Sequence, residues 1–353
     1  MHSRNHIIRQ SAMKHHPRCT DLLLGTRPQS ATDPKDKIFA FQGLLELLDI
    51  DLPSPQYNKS AKQVYSEAAV AAIYHDNSLR LLASVTGESQ IPGLPFWVPD
   101  WSNCDFITEI ASWNAAWVTR TNPPRYVMSE SSEHLGLEGI IIDRIRYASD
   151  TYPAFHDLGN SADEIIRNIA RCKEVAVLKT WFTTFQELPG VDIVTFFSGL
   201  VQEAWSRERH PANLESEILT PYWIDAVKCV GLQASAVRTI PNHIYTVLRG
   251  SNLDLPTKFK IREAILPFHQ TMRRLLDRKR IFKTRHGQLG MGCRALQNGD
   301  RIALFIGCNL PMVIKRAQYD HQWNIVSPVY LENAVHNGST WTSEGRLKTF
   351  VIV

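Results

Sequence analysis

No apolar run in this chain approaches the ~18 residues that a membrane-spanning helix needs. The N-terminus, MHSRNHIIRQSAMKHH, is polar and histidine-rich, and it lacks the apolar centre of a secretory signal. Cysteine is sparse and unpaired in pattern. The six thiols sit at 19, 104, 172, 229, 293 and 308, and the nearest two are fifteen residues apart. No CxxC occurs, so the cysteines read as reduced thiols of the cytosol or nucleus rather than a disulfide framework. Signatures of chemistry are missing too: there is no GxSxG, no HExxH and no EF-hand loop. Internal repeats and low-complexity tracts are absent. The residues alone describe a soluble, cytoplasmic, mixed helix-and-strand protein without a catalytic constellation.

What is present is globular in balance. The chain has 353 residues, 44% hydrophobic and 21% charged, enough for roughly two or three domains. The net charge of +4 is unevenly spread. Residues 258–285 hold ten Lys/Arg against two acids, and residues 1–37 hold seven against three, so the remainder is net acidic.

Local patterns mark out the elements. Residues 1–30 lack periodicity and read as a frayed tail. In ATDPKDKIFAFQGLL, Asp33 can cap a helix, Pro34 suits its first turn, Asp36 suits its positive end, and Gly43 can end it. YNKSAKQVYSEAAVAAIYH, 57–75, predicts a helix with a Ser60/Gln63 capping box and an apolar face through Val64, Tyr65, Ala68, Ala69, Ala72 and Ile73. SLRLLASV, 78–85, reads as a further short helix. LPFWVPDWS, 94–102, reads as an extended strap, because Pro95 and Pro99 forbid regular helix. Residues 135–147 read as a strand, with a bulge at Gly139. Helices are expected over 163–178, 192–209, 215–231 with a kink at Pro221, and 257–282 with Pro267 inside. The 163–178 helix would bury Ile165, Ile169 and Val175. After Ile281 short strands and turns follow, including Asn298-Gly299-Asp300 as a hairpin turn. They read as a small antiparallel sheet or barrel.

Each candidate for chemistry has a plainer reading. The basic stretch 258–285 lies opposite an apolar stripe and lacks interleaved aromatics, so a solvated helix face is favoured over a nucleic-acid surface. His2, His6, His15, His16 and Cys19 could hold a metal, but a fraying segment offers no supporting shell. HGQLGMGC, 286–293, is neither a Walker loop nor a dinucleotide fingerprint, and its glycines read as hairpin turns. Trp97 and Trp101 flank Asp100 and could stack a ligand, but clamping the strap to a core is the favoured reading. No catalytic, cofactor-binding or metal-binding residue is assigned.

Taken in order, these stretches resemble the fungal heterokaryon-incompatibility proteins. ATDPKDKIFAFQGLL resembles ATDPRDKIYALLGL, which follows the HET domain in that family, with Lys35 in place of Arg. YNKSAKQVYSEAA, LPFWVPDWS, WNAAW at 113–117 and LGLEGIIIDRI resemble the segments that come next. RIFKTRHGQLGMGCRALQNGDRIALFIGCNLPMVIKR and WNIVSPVYLENAVHNG resemble the closing ones. The likeness runs from about residue 30 to 338. Its motif positions are Asp33, Pro34, Asp36, Trp97, Pro99, Asp100, Trp101, Gly139, Asp143, Gly287, Gly290, Gly299, Asp300, Pro311 and Tyr330, and a structural role is expected of each. Cys293 stands where the family has Pro, Ser327 where it has Gly, and Asn333 and Val335 where it has Gly-x-Met.

The resemblance implies a part in self/non-self recognition and regulated cell death. It also implies that a TIR-like HET domain would precede Asp33. Only about thirty unpatterned residues do, so a chain truncated before the effector domain is expected. The resulting expectation is an α+β protein. Residues 1–30 would be a tail, 31–280 a mainly helical body with a strap and a strand insert, 281–338 a β subdomain, and 339–353 a second tail. Its role would be recognition or regulation through other proteins, with no membrane, nucleic acid disfavoured and the oligomeric state open. Enzymatic activity is left open, with its absence favoured. The alternatives are an NAD-cleaving enzyme in a longer native form and a drifted paralogue without function.

Overall fold

The structure is a computed structural model. It describes residues 18–25, 27, 29–47, 50, 52, 54–103, 123–153, 160–161, 164–165, 168, 176–207, 219–221, 223–224, 254–308, 310–319, 321–332 and 347–353. The chain is α+β and divides into two compact units. Residues 1–144 with 300–353 form the first, and residues 145–299 form the second.

The first unit opens with α1 (Cys19–Gly25), which corrects the expectation of fraying at that point. Its first amides are capped from a distance: Cys19 and Thr20 donate their backbone N–H groups to the two Asp76 carboxylate oxygens at 2.8 and 2.9 Å. The single helix expected over 33–43 is two short ones, α2 (Asp36–Phe39) and α3 (Gln42–Leu47). Gly43 therefore lies inside a helix and does not end one. Asp33 is not a helix cap either. Its carboxylate accepts the Lys35 backbone N–H at 3.0 Å, a local turn just ahead of α2.

Helix α4 (Ala61–Asp76) follows its sequence closely. Ser60 and Gln63 exchange both capping-box bonds, at 3.2 and 2.9 Å. All six residues expected on its apolar face are buried. Asn77, at φ +43°, stops the helix in the left-handed conformation that Asn tolerates. A 3₁₀ turn, Arg80–Ser84, comes next. The strap at 94–102 is not extended. It is a run of turns, with Val98 donating to the Pro95 carbonyl and Asn103 to that of Asp100.

Strands β1 (Tyr126–Met128) and β2 (Leu135–Ala148) form a hairpin. β2 is irregular, but not at Gly139: the register shifts fall between Ile141 and Asp143 and between Ile145 and Tyr147. Through residue 144, β2 belongs to the first unit, with β5 (Arg301–Phe305), β6 (Met312–Arg316), β7 (Gln322–Pro328), β8 (Tyr330–Leu331) and β9 (Lys348–Ile352). Residues 348–352, expected only as a tail, are thus a strand. The pairings run β5 to β6, β6 to β7, β7 to β9 and β9 to β2, and β2 then pairs β5. The ladder closes on itself. It is mixed rather than antiparallel, because β7 and β9 run parallel. Leu135, Leu137, Phe305, Met312, Ile325 and Phe350 share one core with residues of α1, α4 and the strap.

The second unit holds the end of β2, the hairpin of β3 (Lys279–Thr284) and β4 (Leu289–Cys293), and helices α5 (Ala176–Gln186), α6 (Ile193–Arg207) and α7 (Leu255–Leu276). α7 starts at Asp254, whose carboxylate accepts the Thr257 amide at 3.0 Å. It ends at Leu276, six residues sooner than its periodicity suggests, and Arg278 at φ +53° turns the chain into β3. Ile265, Phe268, Met272 and Leu275 are buried as expected, while the Ile261 side chain lies outside the described residues. An aromatic cluster joins α5 to α6: Phe182 meets Phe197 edge-on at 5.4 Å, and Phe197 stacks on Trp223 at 5.5 Å. Of the helix expected over 163–178, Ile165 is buried, Ala176 to Leu178 begin α5, and Ile169 and Val175 lie outside the described residues. The helix expected over 215–231 is described only at 219–221 and 223–224, where it is helical.

Candidate functional site

The motif residues of the N-terminal part of the first unit gather near α4. Tyr65 is fully buried and donates its hydroxyl to the Pro34 carbonyl at 2.8 Å. Its ring stands edge-on to Trp101 at 5.2 Å. Burial pushes the phenol well above its ordinary range, and the Asp100 charge adds to that. Asp36 accepts the Tyr57 hydroxyl at 2.7 Å, which pushes that phenol up as well. The Lys35 backbone N–H holds the Asp33 carboxyl below its usual range, helped by the Lys35 ammonium.

The Asp100 carboxylate is saturated. One oxygen takes the Gln90 amide at 2.7 Å and the Ser89 hydroxyl at 2.9 Å, and the other takes the Ser102 amide and hydroxyl. Pro99 is buried beside it. Trp97 is buried and donates its indole N–H to the Glu133 carbonyl at 3.3 Å. Trp97 and Trp101 therefore clamp the strap to the core, as expected. A cleft of about 450 Å³ is lined by Thr86, Glu88, Ile91, Leu94, Phe96 and Asp100. With all of its bonds committed, Asp100 is poorly placed to move a proton there.

Two buried cations complete this region, and sequence reading missed both. Arg27 is 2% exposed and donates to the carbonyls of Ser84 at 3.1 Å and Asp100 at 2.7 Å. Lys37 is buried and donates its ammonium to the carbonyls of Arg27 and Gln29. Arg27 lies in what looked like a frayed tail. The only hint was the unpatterned Leu22-Leu23-Leu24 just before it.

In the closed ladder, Gly139 sits opposite Phe305. A Cβ there would stand 2.2 Å from the Leu304 carbonyl oxygen, so the glycine is required by close approach and not by a bulge. Asp143 is buried and accepts the Arg144 amide at 2.7 Å. Asp300 is buried, the Pro311 carbonyl accepts the Val329 amide at 3.0 Å, and Tyr330 lies half-buried in β8. Ser327 is fully buried, opposite Val313.

In the second unit, Gly287 takes φ +93° in the β3–β4 turn, and Gly290 pairs with Phe282. Gly299 takes φ +97° and donates to the Ile145 carbonyl at 2.9 Å, while the Asn298 side chain accepts the Ala148 amide at 2.7 Å. The Asn-Gly pair thus secures the end of β2, where a hairpin turn was expected. Cys293 is buried at the end of β4.

The basic stretch is not one patch. Lys279 is buried and donates to the Asp277 carbonyl, Arg280 to those of Ser149 and Leu296, and Lys283 to that of Pro189. The α7 part, including Arg262, Arg273 and Arg274, is an exposed face, and Arg285 beyond β3 is exposed by itself. Of the metal candidates, His2, His6, His15 and His16 lie outside the described residues. Cys19 is buried, and burial followed by the Asp76 charge pushes its thiol to about 12, far from a reactive thiolate. Among the described residues no group of three His, Cys, Asp or Glu is placed to hold a metal. No helix among them is long and apolar enough to cross a membrane.

The β3–β9 region decides the relationship. Residues 255–352 match the Het-6 beta-barrel domain. That match links the chain to the fungal heterokaryon-incompatibility proteins. The Het-6 region runs from the start of α7 to the end of β9. Strand β2, which pairs β5 and β9, lies outside the matched residues. No curated protein and no solved structure matches the chain.

Proposed function

We propose that this chain is a recognition or regulatory part of a heterokaryon-incompatibility system, acting in the cytoplasm through contacts with other proteins. The match of residues 255–352 to the Het-6 domain carries this reading. The use made of the motif residues supports it. Asp33, Asp36 and Asp100 hold turns and loops, Trp97 and Trp101 pack, and Gly139 permits close approach, all of which shape a framework.

The test is a fusion assay. Strains that differ only in expression of this chain are allowed to form heterokaryons, and dye uptake by fused cells is scored. Death or growth arrest confined to the mismatched pairing supports the proposal. Equal survival of matched and mismatched fusions overturns it. Turnover of NAD by the purified chain would replace it with the enzymatic alternative.

A further inference from the structure

Two short stretches of helix carry apolar side chains that the fold does not use. In α3, Leu45 is buried in the core of the first unit, while Leu44 is 42% and Leu47 84% exposed. In α7, the first buried side chain among the described residues is that of Ile265. Ahead of it, Leu255 is 82% and Phe259 62% exposed. A single exposed leucine is ordinary. These are pairs, three residues apart in α3 and four apart in α7, so each pair lies on one side of its helix. The two pairs sit in stretches of opposite charge. Residues 42–51 hold three acids and no base, and residues 255–262 hold three bases and no acid. Glu46 is exposed between the leucines of α3, where its carboxylate accepts the Gln42 side-chain amide at 3.0 Å. Lys260 directly follows Phe259 and is exposed.

Each pair supplies what the other lacks. An apolar pair among acids and an apolar pair among bases cover each other's exposed carbon while their charges attract. An anionic membrane would suit only the basic pair, and a nucleic acid would leave both pairs in water. A second copy of the chain suits both at once. We propose that the α3 face of one copy docks on the α7 face of another, with Leu44 and Leu47 against Leu255 and Phe259 and with Glu46 facing Lys260. The contact is heterologous. Each copy offers its other face to a further copy, so association proceeds to a ring or a filament. With few side chains on each side, the contact is weak and depends on concentration. The proposal rests on exposure and charge, so it stands apart from the incompatibility role and survives its failure.

The test is sedimentation velocity of the full chain at low salt, over loading concentrations from about 1 to about 100 μM. The average mass is expected to rise with concentration and to fall back when salt is added. Leu47→Ser and Phe259→Ser each change an exposed side chain, so each should keep the parent's melting temperature and stay monomeric. Their equimolar mixture is the deciding sample. The Leu47→Ser chain keeps its α7 face and the Phe259→Ser chain keeps its α3 face, so the mixture should form pairs and nothing larger. Lys260→Glu should weaken association at least about fivefold, and adding Glu46→Lys to the same chain should restore it. A parent chain that stays monomeric throughout overturns the proposal. So does association that neither serine variant reduces, and so does a mixture that stays monomeric, which would mean that like faces meet like. Flotation with phosphatidylserine vesicles tests the other occupant. Capture of a monomeric parent that is lost in Phe259→Ser would assign the α7 face to a membrane instead.

Discussion

The two units finish their sheets in opposite ways. In the first, five strands pair in a circuit, so each of those five has a neighbour on both edges. In the second, the end of β2 pairs β3 and β3 pairs β4, a linear array built beside three helices. Closing a circuit demands that distant segments meet, and it leaves little room for error where they do. A local hairpin depends mainly on its turn. The same change should therefore be far more damaging in the first unit than in the second.

The harshest test removes the closing strand. Residues 255–352, expressed alone, carry the matched domain but lack β2. They are expected to lose cooperative melting and near-ultraviolet ellipticity, because β5 and β9 would be left with bare edges. A fragment that melts as sharply as the full chain would break the comparison.

Glycine substitutions come next. Gly139→Ala drives a methyl group into the Leu304 carbonyl and should destabilise by roughly 3–5 kcal/mol. Gly287→Ala, in the β3–β4 turn, meets no atom within 4 Å and suffers only from its φ of +93°, about 1 kcal/mol. Urea melts of the two variants read the difference directly, and equal losses would refute it.

Buried arginine gives a third contrast. Arg27→Ala strands two carbonyls in the core of the first unit and should cost about 3 kcal/mol. Arg280→Ala, half-buried in the second, should cost about 1–2 kcal/mol. Denaturant midpoints at constant slope test this pair.

Acid should have the mildest effect and reach both units. Asp33 and Glu133 in the first, and Asp192 and Asp254 in the second, are all held below their ordinary range by hydrogen bonds. For a carboxyl lowered on folding, the stabilisation is complete above its unfolded pKa and is lost as pH falls through the folded value. The melting temperature should therefore be flat near neutrality and decline below about pH 4. Asp254→Asn should make that decline shallower, and an unaltered slope would exclude the α7 cap as a contributor.

How much of this was legible in the sequence followed the same division. Helix α4 was readable because its cap and its apolar face are both local. The periodicity of α7 was readable, but its end was not: nothing in Leu276-Asp277-Arg278 announces that Arg278 will take a positive φ. Helix α1 was missed because its burial depends on α4, whose Asp76 caps it from 57 residues away. Gly139 was noticed for the wrong reason, since its partner, the Leu304 carbonyl, lies far along the chain. The strand 348–352 and the parallel pair could not be read from local pattern at all. The clamp of Trp97 and Trp101 was foreseen, whereas the buried Arg27 and Lys37 were not. A buried or clustered cation looks like any surface cation until its surroundings are known.

The closed ladder also sets an order of events during synthesis. β2 is complete at residue 148, yet its partner β9 begins only at residue 348. Until then the growing chain carries a long apolar strand with one edge waiting. Ring closure must be the late step, and it joins segments of very high sequence separation. Newly made chains are thus most vulnerable to pairing with one another before β9 emerges. Any factor that protects them at that stage would act on β2.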